Sequence, residues 1–189
     1  MSTKNLTREE ARRRSEIITV ERYHVRIDVR GADADGATHF TSSTRVRFST
    51  KEPDTFLDLL DGEIESVIVN DEEVEPEYDG SRIQLHGLHT HRKNLVVVTA
   101  KLPYQHTGQG LHRFVDPADG KVYLYTHFEA ADSRRMYTVF EQPDLKAHVD
   151  FDVLAPQGWR VISNQVHEDT REEEGGILHD FALTPRMST

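Results

Sequence analysis

The chain has 189 residues, 36% of them hydrophobic and 30% charged, and carries a formal net charge of −10 at pH 7. That length and apolar content suffice for a buried core, which sets the chain apart from disordered sequences. The acidic balance, without any basic stripe, excludes a binder of phosphate backbones, and the lack of cysteine excludes disulfide scaffolds, thiolate metal sites and cysteine nucleophiles.

The first residues, "MSTKNLTREEARRR", have no apolar signal segment, and no run approaches the ~18 apolar residues of a membrane span. A cytoplasmic protein with neither membrane nor nucleic-acid partners is expected. Thr7 followed by Glu10 three residues later forms a capping-box pattern, which predicts a helix over Arg8–Ile18. The period then changes to two. In "RYHVRIDVR", Tyr23, Val25, Ile27 and Val29 alternate with His24, Arg26, Asp28 and Arg30, as in a strand with one wet face. The turn-formers "GADADG" lead into "HFTSSTRVRFST", where Phe40, Val46 and Phe48 share a register, as in a long antiparallel partner.

Short strands are expected near Thr55–Leu59, Ile64–Asn70, Arg82–Leu85, Asn94–Leu102, Val122–Phe128, His148–Leu154, Arg160–Ser163 and Ile177–Leu183. Asp61-Gly62, Asp79-Gly80, Asp119-Gly120 and Gly175-Gly176 punctuate them. A second, short helix is expected around Ala130–Arg135. The pattern is all-β, a sandwich or a large curved sheet, and with no boundary visible residues 1–189 read as one domain.

Three constellations could carry chemistry. His86, His89 and His91 have a metal-like spacing, but no carboxylate in the motif completes a site, and a polar hairpin is the plainer reading. "HEDTR" at His167–Arg171 lacks the second histidine of a zinc helix and reads as a charged hairpin. Serine-hydrolase elbows and nucleotide fingerprints are absent, and "TGQGLHRF" reads as a loop. The densest segment is "YTHFEAADSRRMYTVFEQPDLKA". On a strand reaching Phe128, His127 and Glu129 would face the same side and could receive an ammonium group. Equally, Glu129 could pair with Arg134 or Arg135 as a structural ion pair.

The stretch "GLHRFVDPADGKVYLYTHFEAADSRRMYTVFEQPDLKA" resembles the N-terminal domain of the gluzincin metallo-aminopeptidases, in their bacterial aminopeptidase N branch. "LTREEARRRSEIITVERYHVRIDV", "TFLDL", "GWRVISN" and "LTPRMST" follow in family order, so the resemblance covers essentially the whole chain. It implies a large, saddle-like antiparallel β-sandwich with a short N-terminal helix and one short helix near 130–135. It also implies that this domain covers the active site of a catalytic domain in the same parent chain. Glu129 matches the glutamate that binds the free α-amino group of the peptide substrate, and His127 stands where the family usually has glutamine. A protonated ring there would oppose an ammonium. The resemblance assigns no cofactor and no catalytic residue to this chain: zinc and its His-Glu-x-x-His helix belong to the following domain of the full-length parent. "TPRMST" reads as part of the connector to that domain. Glu141, where the family usually has aspartate, and the arginines read as structural. The alternatives are a stand-alone β-sandwich module binding protein or another ligand, and a small metal-dependent enzyme using the histidines.

Overall fold

The computed structural model describes residues 5–189. Helix α1 (Arg8–Ile17) begins at the expected capping box: Thr7 Oγ1 accepts from Glu10 N–H at 3.2 Å, and Thr7 N–H donates to Glu10 Oε2 at 2.8 Å. It runs directly into β1 (Ile18–Asp28). In β1 the register shifts between Val20 and Arg22. This bulge changes the inward parity, so that Ile18 and Val20 face the core together with Tyr23, Val25 and Ile27.

Eight strands make the main sheet. From one edge to the other they are β11 (His167–Glu173), β12 (Gly176–Phe181), β10 (His148–Ala155), β1, β2 (His39–Thr50), β7 (Asn94–Pro103), β4 (Glu63–Val69) and β5 (Glu72–Val74). Both edges are charged, "HEDTREE" and "EEV", which discourages pairing with another chain. Two small sheets complete the fold: β3 (Thr55–Asp58) with β6 (Arg82–Leu85), and β8 (Gly110–Val115) with β9 (Val122–His127). Side chains of the main sheet, of β3 and β6, and of the Met136–Ala147 segment share one apolar cluster. Phe48 meets Phe140 edge-on at 5.0 Å, and Tyr23 meets Tyr137 at 6.2 Å.

The all-β architecture with its N-terminal helix is as expected, with four corrections. The main sheet is not wholly antiparallel, because β1 pairs with β10 in parallel, with Val25 opposite Phe151. The long excursion between these strands gives the chain room to return in the same direction. Arg160–Ser163 forms no strand. The stretch expected as a loop, "TGQGLHRF", runs into β8: Gly108 and Gly110 adopt φ of +85° and +58° and admit the chain to the hairpin. A side chain at Gly110 would also sit 2.6 Å from Arg135 Cβ. Finally, the second helix is only a 3₁₀ turn, Ser133–Arg135, preceded by turn residues. Among the described residues no helix is long and apolar enough to cross a membrane.

Candidate functional site

The candidate residues stand at the open end of the β8–β9 hairpin. Its register runs from Val115 opposite Val122 to Gly110 opposite His127. With that last pair the ladder is exhausted, so the strand stops at His127. Glu129 therefore lies in the following turn rather than on the same strand face as His127, which corrects the expected alternation. Phe128, between them, turns inward and meets Tyr137 edge-on at 5.9 Å. The Glu129–Ala130 peptide bond is cis.

His127 is exposed, with Nδ1 3.2 Å from the carbonyl oxygen of Gly108. A carbonyl can only accept, so Nδ1 carries the proton and Nε2 of the neutral ring keeps its lone pair. Glu129 is exposed and makes no hydrogen bond or ion pair among the described residues. The arginines proposed as its partners are engaged elsewhere. Arg134 donates from Nε to Ala131 O at 2.9 Å and from Nη2 to Asn5 Oδ1 at 2.8 Å. Arg135 pairs with Asp132 at 2.7 Å and with Asp61 at 3.5 Å. The other acids of the segment are tied down: Asp132 by Arg135, and Asp144 by the Ser15 hydroxyl at 2.6 Å.

Thr126 and Phe128 also line a cleft of about 710 Å³ between β9, the ends of β1 and β10, and the Gly158–Asn164 segment. Tyr123, Tyr125 and Trp159 contribute aromatic surface to it. This cleft escaped sequence reading because "GWRVISN" alternates like a strand, yet it lies unpaired beside the hairpin.

The histidines with metal-like spacing have other partners. His86 sits between Asp54, at 3.0 Å, and Glu77, at 3.5 Å, two acids from outside its motif, while His89 Nε2 meets Arg92. Among the described residues no three His, Asp or Glu side chains converge as ligands, so the described residues assemble no zinc-ligand set. A polar cluster that sequence reading missed lies on the outer side of the main sheet. There His24 Nδ1 is 2.5 Å from Asp150 and Nε2 is 3.3 Å from Asp152, with Arg22 2.6 Å from Asp150. The hydrogen bond to Asp150 holds the His24 pKa above the ordinary histidine value. Burial pushes Asp150 up, but the bonds from His24 and Arg22 outweigh it and hold that carboxyl below its usual range.

Residues 21–189 match the Peptidase M1 N-terminal domain. The chain is 43% identical over 189 residues to an aminopeptidase N of Streptomyces lividans, covering 98% of this chain and 21% of that protein. Two proteins of Saccharolobus solfataricus are each 27% identical: a probable aminopeptidase 1, over 90% of this chain and 20% of that protein, and a leucyl aminopeptidase, over 92% and 21%. The chain thus spans about a fifth of the length of these curated relatives. With the match running from the first half of β1 to the last residue, the chain belongs to the Peptidase M1 N-terminal domain family.

Proposed function

We propose that this chain is the N-terminal domain of a zinc-dependent aminopeptidase that removes N-terminal residues from peptides. In this reading it covers the active site of the catalytic domain of the same parent chain and helps bind the substrate's α-amino group, without being catalytic alone. Zinc and the general base reside on the catalytic domain. The observation that carries the proposal is Glu129, an exposed carboxylate without an internal partner, next in the chain to Phe128, which lines an aromatic cleft. The relatives' names supply the reaction class.

The chemistry is consistent. A carboxylate at a fixed point recognises an ammonium by a charge-assisted hydrogen bond and so measures off one residue from the peptide's end. His127, its Nδ1–H donated to Gly108, leaves Nε2 of the neutral ring as a further acceptor at the same end of the hairpin.

The division of labour is tested by assaying this chain and the full-length protein side by side on an aminoacyl 4-nitroanilide, with metal analysis of both. Hydrolysis and stoichiometric zinc are expected for the full-length protein alone, with activity lost on chelation and restored by zinc. Hydrolysis by this chain alone, or chelator-insensitive activity of the full-length protein, would overturn the reading.

A further inference from the structure

A second carboxylate grips the turn that carries Glu129 from beneath. Glu141 is only 6% exposed. Its Oε2 accepts the Ser133 hydroxyl at 2.5 Å and the Arg134 N–H at 2.8 Å, the first two residues of the 3₁₀ turn. Its own N–H donates to Asp58 Oδ2 at 3.0 Å, and that oxygen also receives Arg14 Nη1 at 3.0 Å. Arg14 and Asp58 are themselves buried. Glu141 is thus anchored by its backbone to β3 and, through the ion pair, to α1, while its side chain reaches up to the turn.

The other side of the turn is held by the hairpin. Asp132 N–H donates to Phe128 O at 3.0 Å, closing the chain over Glu129, and Gly110 leaves no room for a side chain against Arg135. Phe128–Arg135 is therefore fixed at both ends, with Glu129 projecting between the two anchors.

A buried carboxyl is a costly way to fill space. Burial pushes the Glu141 pKa up, and Oε1 has no hydrogen-bond partner. An apolar side chain of similar size would avoid that penalty but would leave Ser133 Oγ–H and Arg134 N–H without their acceptor. What the carboxyl supplies, and bulk does not, is the orientation of those two donors. We infer that Glu141 is a positioning residue, which orients the Phe128–Arg135 turn so that Glu129 meets a substrate ammonium at a fixed place. This rests on the amine-binding reading of Glu129 and goes beyond it.

The test uses the full-length protein. Glu141→Leu removes the acceptor, and the KM for an aminoacyl 4-nitroanilide is expected to rise about tenfold with kcat within about twofold. Glu141→Gln keeps an acceptor oxygen and the volume, and is expected to retain the parent KM. Ser133→Ala, which removes one donor and carries the test should the leucine variant not fold, is expected to raise KM about threefold. Amide exchange across residues 128–136 should accelerate in Glu141→Leu and not in Glu141→Gln. A lowered melting temperature with parent KM in Glu141→Leu and in Ser133→Ala would mark a purely structural role and overturn the inference. So would a KM raised equally in Glu141→Gln and Glu141→Leu. Glu129→Ala separates the two levels: a parent KM there overturns the amine-binding reading and the positioning role with it. A raised KM in Glu129→Ala beside a parent KM in Glu141→Leu overturns the positioning role alone.

Discussion

The main sheet and the β8–β9 hairpin are written in the same alternating pattern and use it in opposite ways. In β1, Tyr23, Val25 and Ile27 are at most 1% exposed, whereas in β9 Tyr123 and Tyr125 are 47% and 50% exposed. The difference lies in what stands opposite. The inner face of the sheet has a second layer, formed by β3, β6 and the Met136–Ala147 segment, while the outer face of the hairpin has none. A two-stranded ribbon gains little stability from itself and depends on residues such as Leu111, Leu124 and Phe128 that join the core. Its tyrosines stay largely exposed, with contacts local to the hairpin such as Tyr125 on His112 and Tyr123 to Asp119, and Glu129 has no internal partner among the described residues. Stability therefore resides mainly in the sheet, and the proposed recognition falls at the end of the hairpin.

Substitutions should separate the two regions. The largest effect is expected at the core. Tyr23→Ala empties a fully buried site and strips the Phe140 N–H of its acceptor, Tyr23 Oη at 3.1 Å. A loss of about 3–5 kcal/mol is expected in urea denaturation. Asp58→Ala strands the buried Arg14 charge, and about 3 kcal/mol or more is expected by the same measurement. Thr7→Ala removes the α1 cap and should cost about 1 kcal/mol.

A smaller effect follows pH. Because its bond to Asp150 raises the His24 pKa in the folded state, the stabilisation from the protonated ring is complete below the unfolded value. It fades as pH rises through the raised folded value. Arg22 and Arg45 oppose the protonated ring, while Asp150 and Asp152 favour it. Unfolding free energy should therefore decline as pH rises from below the unfolded histidine value through the raised folded one, and His24→Gln should flatten that decline. The smallest effect belongs to the hairpin: Tyr125→Ser should change stability by no more than about 0.5 kcal/mol. A loss there comparable to that of Tyr23→Ala would break the contrast.

Much of the sheet was legible because burial on one face imposes period two. Tyr23, Val25 and Ile27, and Phe40, Val46 and Phe48, all point inward as read. The capping box at Thr7 was equally plain, being a local device. What escaped were features set by distant partners. The parallel pairing of β1 with β10 joins Val25 to Phe151, and the hold of Glu141 on the turn depends on Asp58, 83 residues away. Glycines hid the start of β8, because positive φ serves both loops and tight entries to strands. Glu129 itself stood out through the family resemblance. Its residue type alone left it level with an ion pair to Arg134 or Arg135, and the partners of those arginines could be seen only in three dimensions.

The most direct test of recognition at the hairpin's end is the kcat/KM of the full-length protein and of its Glu129→Ala variant for an aminoacyl 4-nitroanilide, measured with their melting temperatures. An exposed, unpartnered carboxylate that binds the substrate amine predicts a fall of about tenfold or more in kcat/KM, with the melting temperature unchanged. Equal kcat/KM in the two proteins would contradict it.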